Sequence, residues 1–196
     1  YFLGRGNLAR GERNLASVLK EAGYATCQVE KWHLNINNGA MPPEVGFKEY
    51  YHTKLANNYY DPVIDENGTE RKVEGGYGPK VCQDHAFDFI RRHQEIPFFL
   101  YYAMHLPLAR YHVPPSSELG ENATKLEQYS AMVAQQDRSV GELVSFLESL
   151  GLTEKTLVFF LGDNGTPKDI TYQSKGKTLR GGKASPLDSG TRVPMI

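Results

Sequence analysis

Pro97-Phe98-Phe99-Leu100-Tyr101-Tyr102-Ala103-Met104, followed at once by His105, is the stretch on which the fold turns. It is apolar and aromatic without polar alternation. That composition and length predict a strand buried on both faces. The same grammar repeats on either side. Upstream, residues 84–93 show helical spacing at Ala86, Phe87 and Ile90. Residues 14–22 put Leu15, Val18 and Leu19 on one helical face, closed by Gly23, and residues 24–29 read as a short strand. Downstream, residues 126–150 keep a helical stripe of Tyr129, Met132, Val133, Val140, Leu143, Val144, Leu147 and Leu150, ended by Gly151. Thr156-Leu157-Val158-Phe159-Phe160-Leu161 reads as another buried strand. Between these, residues 35–79 are rich in Asn, Gly, Pro and Tyr and read as loops, with a small hairpin at Asp65-Glu66-Asn67-Gly68. Helix, strand, helix, strand, long helix, strand predicts an open α/β fold with a mostly parallel sheet flanked by helices.

The bulk properties exclude several classes. The chain has 196 residues, room for one domain with a sizeable core, and 40% hydrophobic against 23% charged residues is ordinary for a globular protein. A net charge of -1 argues against broad attraction to nucleic acid. No apolar run is long enough to span a bilayer. The two cysteines, Cys27 and Cys82, have no zinc spacing and read as buried thiols. Tyr1 and Ile196 both read as cut edges, so the expected domain is a central part of a larger one, covering 1–196.

Chemistry gathers behind the predicted strands. Lys31-Trp32-His33 follows the first, His105 the second and Asp163-Asn164-Gly165 the third, with Arg180-Gly181-Gly182-Lys183 in the loop beyond. In open α/β folds ligands collect at the carboxyl ends of strands, so parallel strands would send these groups toward one rim. Each cluster alone has a plain reading: Asp-Asn-Gly is a common turn, and a basic loop is usually a solvated surface. Together they suit a doubly charged anionic ester. Asp163 and Asn164 offer the hard oxygens that calcium or magnesium prefers, though too few for a full shell. Lys31 and Lys183 offer point charges for sulfate or phosphate oxygens, and His33 and His105 titrate near neutrality.

The residues also resemble a known family. Ala16-Ser17-Val18-Leu19-Lys20-Glu21-Ala22-Gly23-Tyr24-Ala25-Thr26 with Lys31-Trp32-His33-Leu34, then Pro97 to Pro107, Tyr129 to Gly141, Thr156 to Gly165, and Leu179 to Pro194 match in order and spacing the ordered motifs of the formylglycine-dependent sulfatases. The resemblance implies the alkaline-phosphatase-like fold and hydrolysis of a sulfate ester. It implies Asp163 and Asn164 as ligands of Ca2+ (or Mg2+), and Lys31 and His33 as groups that hold and activate the formylglycine. It implies His105 and Lys183 as groups that grip the sulfate and assist the leaving oxygen. Leu3-Gly4-Arg5 looks like the tail of the nucleophile region, which places the formylglycine upstream of Tyr1. The paired N-terminal aspartates of the metal site and the C-terminal subdomain are likewise expected outside the chain. The chain alone is therefore expected to be inactive.

Some positions depart from the pattern. Glu30 stands where the family prefers Gly, Asn35 replaces a Gly, Leu108 stands where a second histidine is frequent, and Asp188-Ser189-Gly190 replaces Glu-Gly-Gly. The implied partner is a sulfated small molecule or glycan, with no nucleic acid, in an extracytoplasmic compartment. Asn67-Gly68-Thr69 and Asn122-Ala123-Thr124 are glycosylation sequons. Two other readings stay open: a phosphodiesterase or phosphonate hydrolase of the same superfamily, and a non-catalytic fragment or pseudoenzyme.

Overall fold

The computed structural model describes residues 7–35, 38–54, 59–120 and 122–196; the Leu3-Gly4-Arg5 reading lies outside them. The chain divides into two compact units, one of residues 1–105 with 139–152, the other of residues 106–138 with 153–196.

The first unit is built on a five-stranded sheet of order β4-β3-β2-β1-β5. Its strands are β1 (Ala25–Glu30), β2 (Glu49–Thr53), β3 (Val63–Glu66), β4 (Thr69–Lys72) and β5 (Phe98–Ala103). β1 runs parallel to both β2 and β5, while β2, β3 and β4 form an antiparallel meander. The expected α/β architecture thus holds, as a mixed sheet parallel through its centre. All six residues of β1 are buried. Alternation along it puts Ala25, Cys27 and Val29 on one face and Thr26, Gln28 and Glu30 on the other.

The Ala25 face carries the larger core. Helix α2 (Gly78–His93) lays Cys82, Ala86, Phe89 and Ile90 against Ala25, Cys27, Val29, Tyr51 and Ile64, joined by Leu147 and Leu152. Pro79 opens α2, and Arg91, Arg92 and His93 close its last turn, where cations favour the helix dipole. On the opposite side a smaller cluster joins Ala16, Ala40, Val45 and Phe47, with Trp32 and Phe99 against it. Helix α1 (Leu15–Glu21) contributes only Ala16 to the buried set. Leu15 and Val18, expected to face the core, are 61% and 37% exposed.

Two further expectations for this unit are corrected, and one holds. β5 is a strand as read, but it is the end strand of the described sheet and only half-buried, with Tyr101 46% exposed; the fully buried centre is β1. The loop-rich stretch 35–79 hides β2, whose Glu-Tyr-Tyr-His-Thr is aromatic and β-branched enough for a strand. The hairpin at Asn67-Gly68 is as read: both residues take positive φ, 50° and 91°, as the tight two-residue turn between β3 and β4 requires.

The second unit holds the start of helix α3 (Lys125–Ser149), the hairpin β6 (Thr171–Ser174) and β7 (Lys177–Arg180), and the short α4 (Asp188–Thr191). The apolar run 156–161 is not a buried strand. Leu157, Phe159 and Leu161 are 79%, 66% and 62% exposed. Among the described residues its sheet-like partner is the segment 194–196, through paired bonds between Phe160 and Ile196 and a bridge from Leu161 to Met195. Apolar composition marks a segment able to line a sheet, but strand assignment needs a ladder on at least one side.

Candidate active site

In the first unit, Lys31, His33 and His105 come to one edge, the carboxyl ends of β1 and β5. Lys31 continues the ladder one residue past β1: its N–H donates to the carbonyl of Ala103 (3.0 Å), and its own carbonyl accepts from Gln28 Nε2 (3.0 Å). Its side chain is half-buried. Trp32 turns back into the small core, where Nε1 donates to the carbonyl of Ala40 (3.0 Å) and the indole meets Phe47 edge-on at 6.0 Å. That anchor fixes the path of the loop and leaves His33 exposed.

His105, two residues beyond β5, is 7% exposed. Its backbone N–H donates to Glu30 Oε1 (2.9 Å), and its Nδ1 lies 3.2 Å from the same oxygen and 3.2 Å from Thr53 Oγ1. Glu30 is 1% exposed and adopts φ 77°. Its other oxygen, Oε2, has no hydrogen-bond partner among the described residues. Sequence reasoning noticed Glu30 only as a substitution for glycine and missed Thr53. The positive φ supplies the reason glycine suits this position. Next to Glu30 in register, on β2, stands buried His52. Burial lowers its pKa from the ordinary histidine value, against the opposing pull of Asp65, whose Oδ2 lies 4.0 Å from Nε2.

In the second unit, Asp163, Asn164 and Lys183 belong to one knot of loops. Gly162 N–H donates to Pro194 O (3.1 Å), Gly165 N–H to Gly190 O (3.0 Å) and Lys183 N–H to Thr166 O (2.9 Å). The packing is close enough to demand glycine. A Cβ on Gly165 would sit 1.9 Å from Ser189 O, and one on Gly182 would sit 2.1 Å from Ser189 Oγ. The Gly-Gly before Lys183 and the Gly after Asp163-Asn164 thus permit the close backbone approach at this knot of loops. Asp163 is exposed, and Asn164 and Lys183 are half-buried.

The donor set fits a hard cation in kind. A carboxylate and an amide oxygen on adjacent residues are the ligand types calcium and magnesium take. They are a minority of such a shell: among the described residues, no group of three or more His, Cys, Asp or Glu is placed to hold a metal ion. Neither cysteine suits a nucleophile. Both are buried, and burial pushes the Cys27 and Cys82 thiols far up from their ordinary value, away from the reactive thiolate. No helix among the described residues is long and apolar enough to cross a membrane.

Comparison with known proteins adds the identity of the frame. The arylsulfatase of Hemicentrotus pulcherrimus is 28% identical over 96% of this chain and 38% of its own length. The N-acetylgalactosamine-6-sulfatase of Rattus norvegicus is 30% identical over 97% of this chain and 40% of its own. The solved structure of Ps i-CgsB in complex with k-i-k-neocarrahexaose matches with a TM-score of 0.74 at 27% identity, covering 97% of this chain and 50% of that one. The chain thus spans about two fifths of the length of these two curated relatives. The sulfatase family model matches residues 1–196 from end to end, and the chain belongs to the sulfatase family.

Proposed function

We propose that the full-length protein hydrolyses sulfate esters of a sugar or a small aromatic alcohol, outside the cytoplasm. The observation that carries this reading is the family match over all 196 residues together with the placement of Lys31, His33 and His105 at adjacent strand ends. The names of the relatives, an arylsulfatase and an N-acetylgalactosamine-6-sulfatase, support the substrate class, as does the oligosaccharide bound to Ps i-CgsB.

Asp163 and Asn164 are the residues of this chain that would hold a calcium or magnesium ion, which supplies Lewis-acid neutralisation of anionic oxygens when bound. The roles of the chain's other residues follow from their chemistry. Lys31, half-buried and pinned by its backbone, presents a fixed positive charge to an anionic oxygen. His33, exposed on an anchored loop, is placed to exchange a proton with solvent or nucleophile. Lys183, held by the glycine knot, offsets charge on the sulfate side. His105 has Nδ1 committed to Glu30 and Thr53, which leaves Nε2 as the atom at which it meets the sulfate or the leaving oxygen.

The test is release of inorganic sulfate by the purified full-length protein from nitrophenyl sulfate and from N-acetylgalactosamine 6-sulfate, with a nitrophenyl phosphodiester alongside. Sulfate release with little phosphodiester cleavage is expected. Preference for the phosphodiester would instead assign a phosphodiesterase, and no turnover of any of the three would assign a non-catalytic protein.

A further inference from the structure

We infer that Glu30 is a positioning residue that fixes the ring orientation and tautomer of His105, an inference that rests on the role given to His105 above. Glu30 occupies φ 77°, a conformation strained for a residue with a side chain. Such strain persists where surrounding contacts over-determine it. Here the contacts are those of its carboxyl group, which is buried and meets His105 twice through one oxygen: the backbone N–H at 2.9 Å and Nδ1 at 3.2 Å. An oxygen that accepts a backbone N–H is acting as acceptor, so Nδ1 facing it carries the proton. Nε2 is then the nitrogen at which His105 exchanges or donates a proton.

The contact is built into the sheet. Glu30 pairs in register with Ala103, two residues before His105, and with His52 on the other side, next to Thr53. Thr53 Oγ1 lies 3.2 Å from the same Nδ1. The imidazole is therefore held from β1 and β2 while its chain leaves β5. Lys31 follows Glu30 directly, so the same strained residue sets the direction in which Lys31 departs. A plain clasp between strand ends would use the same bonds, and it differs in what it predicts for the chemistry.

Glu30→Gly relieves the backbone but removes the acceptor, whereas Glu30→Gln keeps an acceptor oxygen. Nitrogen-resolved imidazole NMR and steady-state kinetics on the full-length protein and both variants separate the two accounts. The wild type and Glu30→Gln should show His105 protonated at Nδ1, and Glu30→Gly a mixture of tautomers. In Glu30→Gly kcat should fall about 10–100-fold with KM nearly unchanged, by analogy with the loss of an outer partner of a metal-bound histidine, and Glu30→Gln should recover most of it. A wild-type His105 lacking the Nδ1 proton would overturn the inference. So would Glu30→Gly with an unchanged tautomer and full kcat; if Glu30→Gly fails to fold, a folded Glu30→Gln whose His105 has lost the Nδ1 proton would overturn it. If the wild type releases no sulfate, the sulfatase reading fails, and the spectra alone decide the positioning.

Discussion

At the scale of single residues, the neighbours of the candidate site groups explain why those groups stand where they do. Lys31 and His33 stand behind β1, as expected, whereas Asp163-Asn164 follow the segment 156–161, which was expected to be a strand and is not one. What could not be read was Glu30 as the partner of His105, because that contact joins residues 75 positions apart. The one local clue, a side chain at a glycine position, signals positive φ but not the partner. The burial of His52 was equally hidden, since it lies on a strand inside a loop-like stretch. Its pKa is lowered mainly by desolvation, so the folded state resists protonating it. A depressed histidine contributes stability above its unfolded value, about pH 6.5, and that contribution is lost as pH falls toward the folded value. Unfolding midpoints of the chain measured from neutral to mildly acidic pH should therefore decline more steeply in the wild type than in His52→Asn. Equal slopes would show that His52 does not carry a burial penalty.

At the scale of elements, legibility followed periodicity. Helix α3 was expected over 126–150 and spans Lys125–Ser149, because its apolar stripe is long. The β3–β4 hairpin was readable from Asn67-Gly68 alone. β2 was missed because its five residues are flanked by turn formers, and burial by sheet neighbours overrides that signal. The segment 156–161 failed in the opposite sense: apolar composition promised a strand, while among the described residues it is paired only at its end. For α1 the helix was right and its face wrong, because the buried contact is the small Ala16. What holds α1 in place is its start. Asn14 Oδ1 accepts the Ser17 N–H (3.2 Å), the Asn14 N–H donates to Ser17 Oγ (3.0 Å), and Asn14 Nδ2 donates to the carbonyl of Val45 (2.9 Å). Asn14→Ala should lower stability by about 1 kcal/mol or somewhat more, the usual cost of losing a cap. Chemical denaturation checks this, and a loss well under half that size would mean that the cap contributes little.

For the whole molecule, family membership rests on a match that runs from residue 1 to residue 196. The α/β class was readable from the alternation of helices and strands. The chain's division into two units was not, since a long helix that runs through the division looks continuous in sequence. Lys31, His33 and His105 belong to the first unit, and Asp163, Asn164 and Lys183 to the second. We propose that this chain supplies oxygen donors for a cation and positive charges for a sulfate ester. The measurement that tests it most directly is sulfate release by the full-length protein across a calcium titration, for the wild type, Asp163→Ala and Lys183→Ala. Turnover should rise with calcium in the wild type. Asp163→Ala should lose most of it and need far more calcium, while Lys183→Ala should keep the calcium dependence at a rate about 100-fold lower, typical of removing one charge-stabilising group. An Asp163→Ala protein with wild-type turnover and wild-type calcium dependence would remove Asp163 from the cation site and reduce Asp163-Asn164-Gly165 to a turn.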